Sequence, residues 1–119
     1  MILVTAREWG QAYEWSIHAP IALAQGIRPE VVQAIAQGRR PQGMSDDEAI
    51  CYDFSTELHR TRQVSDATYA RALKRFGEKG VIDLTAINGY YTFLAMQLNM
   101  MRTPASPGGP LLTAAPAGR

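Results

Sequence analysis

The spacing of hydrophobic residues along this chain predicts helices throughout, whereas the period-two alternation typical of strands is scarce. The first two helices are predicted at 1–8 and at about 11–25, with Gly26 ending the second one. Pro20 lies inside the second helix, where it removes a backbone hydrogen bond, so a kink or a split into two helices is expected there. The pattern as a whole indicates an all-α fold.

Residues that typically begin and end helices place the next two elements. Pro29 suits the first position of a third helix, and Gly38 ends it. Ser45 and Glu48 form the pattern of a capping box, in which each side chain accepts a hydrogen bond from the other residue's backbone amide. A helix at about 46–62 is therefore predicted to start there.

The C-terminal helices follow the same logic. Ser65 is expected to cap a helix at about 66–79 that Gly80 ends, and a further helix is predicted at 84–101. This last helix is apolar on two sides, which is typical of a central helix or of a contact between subunits. One side carries Ile87, Tyr91, Leu94, Leu98 and Met101, and the other carries Ala86, Tyr90, Phe93 and Met100.

The 119 residues are enough for one domain of ordinary size. We expect residues 1–102 to form the helical domain. Residues 103–119 read TPASPGGPLLTAAPAGR, and this density of Pro and Gly predicts a tail without regular structure. Such a tail is expected to add nothing to the core and to be mobile or to lie on a neighbouring molecule.

The net charge and the lengths of the apolar runs argue against some classes of partner and location. The net charge is +1, with 12 basic and 11 acidic residues and no basic stripe, which argues against nucleic acid as a partner. No run approaches the ~18 apolar residues of a membrane span, and no signal peptide is evident, so a cytoplasmic location is expected.

The single cysteine, Cys51, excludes an intrachain disulfide and is expected to be a small buried hydrophobe. No metal site is predicted.

The segment WGQAYEWSIH carries the best candidate for chemistry. Gln11, Glu14 and His18 stand at i, i+3 and i+7, which would put them on one helix face. A carboxylate one turn from an imidazole would fix its tautomer and favour its protonated form, and the neighbouring aromatic side chains would screen the pair from water. The alternative is a purely structural hydrogen bond within the helix.

Two other residues are weaker candidates. Arg7 lies four residues before Gln11 and would anchor a carboxylate on the same surface if Gly10 did not break the helix. The alternative is an ordinary surface arginine. His59 lies late in its helix, where a cation is favoured by the helix dipole, and its functional alternative is a second proton-transfer group across a subunit interface.

Two long segments resemble the carboxymuconolactone decarboxylase family, which includes the alkyl hydroperoxide reductase D-type proteins. The segments begin LVTAREWGQAYEWSIHAPIALAQG and DEAICYDFSTELHRTRQVSD, and together they cover most of 2–99. The resemblance implies an all-helical fold of about five to six helices that assembles into trimers or hexamers, with the active region near subunit contacts. Relative to the family, the domain is expected to be short at its N-terminus.

The redox branch of this family has a Cys-x-x-Cys pair followed four residues later by a histidine. On this chain, those positions correspond to Gln11, Glu14 and His18. Thiol chemistry needs a thiolate nucleophile and a resolving thiol, and neither residue that replaces the cysteines supplies one. Peroxidase or disulfide reductase activity is therefore not expected, although it belongs to the family.

The decarboxylase branch acts on a carboxylated muconolactone in aromatic-compound breakdown, and the resemblance implies a cofactor-free lyase. Loss of carbon dioxide leaves an electron-rich carbon that must be protonated. His18 is the candidate proton donor and Glu14 the residue that orients it, with Gln11, Tyr13 and Arg7 as candidate substrate-binding residues. The alternative function is a non-catalytic helical oligomer that binds small molecules or partners through its last helix.

Overall fold

The computed structural model describes residues 1–113, which contain five α-helices and no strand. The all-α class predicted from the sequence is confirmed. In chain order the helices are α1 (Ile2–Glu8), α2 (Ala12–Ala24), α3 (Pro29–Ala36), α4 (Asp46–Thr61) and α5 (Asp66–Met100).

The predicted start of α4 is confirmed in detail. The Ser45 hydroxyl accepts a hydrogen bond from the Glu48 backbone amide at 3.2 Å, and the Glu48 carboxylate accepts one from the Ser45 amide at 3.0 Å. Ser65 caps α5 in the same way, by accepting a hydrogen bond from the Thr68 amide at 3.3 Å. Pro20 lies inside α2, which continues through it to Ala24 instead of splitting.

The break that the sequence places at Gly80 occurs at Gly77. Gly77 has φ 72° and ψ 178°, a conformation that side-chain-bearing residues hardly adopt, and the helical residues resume beyond it to Met100. The prediction that Gly80 ends a helix is therefore wrong. A Cβ atom on Gly80 would lie 2.3 Å from Cβ of Phe76, so a close approach within α5 explains this glycine instead.

The short helix α1 is central, because it packs against each of the other four helices. Two apolar clusters flank it. The first joins α1, α2 and α3 and includes Leu3, Val4, Ala6, Trp15, Ala19, Val31, Val32 and Ile35. The second lies between α4 and α5 and consists of Ile50, Phe54, Ala72, Val81 and Leu84. This arrangement also buries two polar residues of α1, Thr5 and Arg7.

The segment after α5 was expected to be mobile or to lie on a neighbouring molecule, but its described part packs against the helices of the same chain. Residues 103–113 contain no helix or strand, but Leu112 packs against the first apolar cluster. Arg7 donates a hydrogen bond from Nη1 to the Thr113 carbonyl at 2.6 Å, and the Ser106 amide donates one to the Ser16 hydroxyl at 2.9 Å. These contacts hold 103–113 against its own domain. The remainder of the predicted tail, 114–119, lies outside the described residues.

Candidate functional site

Glu14 and His18 lie one turn apart on α2 and meet as a pair. The distance from Nε2 of His18 to Oε2 of Glu14 is 3.0 Å. The side chains are 21% exposed for His18 and 9% for Glu14, so the pair is largely screened from water. Because a carboxylate accepts hydrogen bonds, Nε2 carries the shared hydrogen, and Nδ1 is the imidazole nitrogen left for other contacts.

Tyr91 of α5 completes the surroundings of the imidazole. Its ring meets that of His18 edge to face, with centroids 5.4 Å apart and an angle of 88° between the planes. Burial raises the pKa of the Tyr91 phenol, and the charges of Glu14 and Tyr90 add to this, so Tyr91 stays neutral. The sequence placed Tyr91 on an apolar stripe, but helical spacing cannot tell which residue of another helix such a ring contacts.

His18 forms part of the wall of an apolar cavity of about 470 Å³. We refer to this space, which is also lined by Ile21, Ala22, Cys51, Phe76 and Ile87, as the apolar cavity. Its volume lies in the range of small-molecule sites in proteins. The cavity combines an aliphatic and aromatic wall with a carboxylate-paired imidazole at one edge.

Apart from His18, the charged side chains that line the apolar cavity are acidic and already engaged, and Met1, whose amino group has its pKa lowered by burial, also lines it. Asp47 is paired with Arg75 at 2.6 Å, and Glu48 belongs to the capping box of α4. None of the described lining residues is a lysine or an arginine. The basic groups that an anion inside this cavity could meet are therefore the His18 imidazole and the Met1 amino group, and burial favours the neutral form of the latter.

Cys51 also lines the apolar cavity, where it is half-buried and free. Burial raises the pKa of its thiol above the ordinary value, the Met1 amino group opposes this in part, and the nearby Asp47 carboxylate adds to it. The group is a neutral thiol at neutral pH and a poor nucleophile. The geometry thus adds to the sequence argument against thiol chemistry.

Gln11 has a structural role, because its side chain caps the N-terminus of α2. It adopts an extended conformation at the N-cap of α2, and its side-chain oxygen accepts a hydrogen bond from the Glu14 amide at 2.9 Å. Its side-chain nitrogen donates to Asn99 at 3.1 Å, and the residue is 1% exposed. The turn through Gly10, which has φ 60°, separates α1 from α2, so Gln11 is not on a continuous helix with Arg7.

Of the five predicted site residues, only His18 is among the described residues that line the apolar cavity, and Glu14 reaches it through His18. Arg7 is 4% exposed and bonded to Thr113, Gln11 is a cap, and Tyr13 is not among the described residues that line the cavity. The structure brings together only Glu14 and His18, with the latter on the cavity wall. Substrate binding by Arg7, Gln11 and Tyr13 stays a prediction.

The chain matches no family model, and no curated protein or solved structure shows significant similarity to it. Within 1–113, no three His, Cys, Asp or Glu side chains are grouped so that they could hold a metal ion. The helices in the same range are all too short or too polar to cross a membrane.

Proposed function

We propose that this protein is a cofactor-free lyase that removes carbon dioxide from a small carboxylated lactone or a related acid. The observation that carries the proposal is the Glu14–His18 pair, 3.0 Å apart, beside an apolar cavity of about 470 Å³. The sequence resemblance to the carboxymuconolactone decarboxylase family favours the same reaction class. His18 is the proton donor, and Glu14 is a positioning residue that acts through it.

The reaction requires one bond to break and one proton to move. The bond between the substrate carbon and its carboxylate breaks, carbon dioxide leaves, and the electron pair stays on a carbon next to the lactone carbonyl. Protonated His18 then gives the proton on Nδ1 to that carbon, while Glu14 holds the hydrogen on Nε2. The neutral imidazole regains a proton from solvent. Apolar walls favour the step in which the carboxylate loses its charge.

The lining of the apolar cavity favours a substrate with a single negative charge. Protonated His18 neutralises one carboxylate, but a second carboxylate would meet no lysine or arginine among the described lining residues and would approach Asp47 and Glu48. The Met1 amino group also lines the cavity, but burial lowers its pKa and so disfavours its charged form. Burying an unpaired charge is costly. We therefore infer a monocarboxylated lactone, not a dicarboxylated one, as the preferred ligand class.

Ligand titrations followed by NMR test this substrate class. We expect a butyrolactone monocarboxylate to bind at least about tenfold more tightly than the dicarboxylate of the same ring, because a tenfold change requires only ~1.4 kcal/mol. The signals that move should be those of His18, Ala22 and Cys51. The matched control is Ala22→Arg, which adds a cation at the cavity wall and should reduce the preference. Tighter binding of the dicarboxylate by the wild type would contradict the proposal.

A specific observation also favours the alternative function, a helical oligomer. Five large apolar side chains of α5 are at least half exposed, and the last four of them are spaced three or four residues apart. We call them the α5 stripe: Ile82, Tyr90, Phe93, Met96 and Met100. Phe93 is 59% exposed and Met100 is 73% exposed. A continuous apolar face of this length is typical of a protein interface, and a second copy of the chain is its expected occupant.

Two negative charges placed on the α5 stripe should weaken self-association. We expect the double variant Phe93→Glu, Met100→Glu to weaken association at least about tenfold, because aromatic residues central to an interface carry much of its binding energy. Sedimentation velocity over a concentration series measures this. The control is Lys74→Glu, an exposed change on α5 away from the stripe. A wild type that stays monomeric at high concentration would end this alternative without affecting the role of His18.

A further inference from the structure

A second and more polar recess lies where the ends of α1 and α4 meet the middle of α5. It has a volume of about 540 Å³ and shares no lining residue with the apolar cavity. We call it the His59 groove. The lining residues used below are Glu8, Trp9, His59, Thr85, Thr92 and Met96.

The orientation of one buried amide sets the chemistry of this groove. Asn88 is 1% exposed, and its side-chain nitrogen donates to the Leu84 carbonyl at 2.8 Å and to the Ser55 hydroxyl at 3.1 Å. The Leu84 carbonyl can only accept, so it fixes which end of the amide is nitrogen. The Asn88 oxygen is therefore the atom that faces His59, at 3.1 Å from Nε2.

An amide oxygen can only accept, so Nε2 of His59 carries the hydrogen. The Thr5 hydroxyl, 2.9 Å from the same nitrogen, can accept a share of it while its own hydrogen is shared between the Met1 carbonyl at 3.3 Å and the Asn88 oxygen at 3.4 Å. Burial lowers the pKa of His59, and the bond to Asn88 opposes this only in part, so the ring is neutral at neutral pH. The Nδ1 lone pair is left without a hydrogen bond from any described residue.

The other polar groups of the groove also present lone pairs. The Thr85 hydroxyl donates to the Val81 carbonyl at 3.0 Å, and the Thr92 hydroxyl donates to the Asn88 carbonyl at 2.7 Å. Because each hydroxyl donates its single hydrogen to a carbonyl of α5, its oxygen can only accept a hydrogen bond from a ligand in the groove. The walls beside them are the indole of Trp9 and the side chain of Met96. The surroundings thus combine acceptors with flat apolar surface.

Charge separates the possible ligands further. The Glu8 carboxylate is paired with Arg60 at 2.8 Å, and Arg62 also lines the groove, so a cation finds little net attraction there. An anion would be attracted by Arg62, but it would also approach the Glu8 carboxylate and face the lone pairs of His59, Thr85 and Thr92. A neutral molecule that donates a hydrogen bond fits both constraints.

We infer that the His59 groove is a second binding site, separate from the Glu14–His18 site, for a neutral aromatic alcohol of the phenol class. The hydroxyl donates to Nδ1 of His59, and the ring lies against Trp9 and Met96. The inference does not depend on the proposed lyase activity, because the two recesses share no lining residue.

NMR titrations of the wild type with phenol and with anisole test the site. Anisole has the same ring but no hydroxyl hydrogen, so phenol should bind at the groove about fivefold more tightly. The signals expected to move are those of Gly89, Thr92 and His59, and the ¹⁵N resonance of His59 Nδ1 should shift with phenol but not with anisole. Equal affinities, or shifts confined to Ala22 and Cys51 in the apolar cavity, would overturn the inference.

His59→Gln is the matched variant. The glutamine amide nitrogen takes the place of Nε2 and keeps the inward hydrogen bonds to Asn88 and Thr5, whereas its amide oxygen does not occupy the position of Nδ1. The preference for phenol over anisole should then fall to within about twofold. A preference that survives in the folded variant would overturn the inference. If the variant does not fold, the ¹⁵N measurement on the wild type decides alone.

Discussion

A His18→Gln variant is expected to keep its fold and to lose at least about 100-fold of its turnover of a monocarboxylated lactone, since a positioned acid contributes about 10²–10⁴-fold. Glutamine can still donate a hydrogen bond to Glu14, but it cannot give up a proton to carbon. His18 lines the apolar cavity and is 21% exposed, so the substitution disturbs little packing. Release of carbon dioxide measures turnover, and circular dichroism checks the fold.

Two further variants sharpen this result. Glu14→Gln should reduce turnover less than His18→Gln, because Glu14 acts only by holding the imidazole in position. Lys74→Gln, an exposed change on α5, should leave turnover unchanged. Wild-type turnover in folded His18→Gln protein would remove His18 from the mechanism.

Asn88→Leu is expected to lower the free energy of unfolding by about 2–3 kcal/mol, because it leaves buried polar partners without their hydrogen bonds. Asn88 connects α5 to Ser55 and His59 of α4 and to Thr5 of α1. Ser55 and Thr5 are 0% and 1% exposed, so water cannot replace the lost bonds without a rearrangement.

Urea denaturation measures this change, and Gln97→Leu is its control. Gln97 is an exposed polar residue on the same helix, and its replacement should change the free energy of unfolding by no more than about 0.5 kcal/mol. If Asn88→Leu were as stable as the control, the buried network would contribute nothing to the fold.

Local sequence signals predicted local structure well. The capping box at Ser45 and Glu48 and the pairing of Glu14 with His18 involve residues three or four apart, and the backbone geometry of a helix alone brings such residues together. The all-α class follows from the same periodicity.

Features that depend on contacts between distant segments could not be predicted in this way. The burial of Arg7 depends on α1 becoming the central helix and on a carbonyl 106 residues further along. A polar residue such as Asn88 on an apolar helix face indicates a buried hydrogen-bond network. Its partners could not be predicted, because Ser55 and Thr5 come from other helices.

The most direct test of the account is a reaction in deuterated water followed by NMR. With a monocarboxylated lactone as substrate, the wild type should release carbon dioxide and place one solvent-derived deuterium on the carbon that carried it, and His18→Gln should do neither at a comparable rate. Lactone that stays intact with the wild type, or equal deuterium incorporation by the two proteins, would contradict the claim that the Glu14–His18 pair is the working group of this protein.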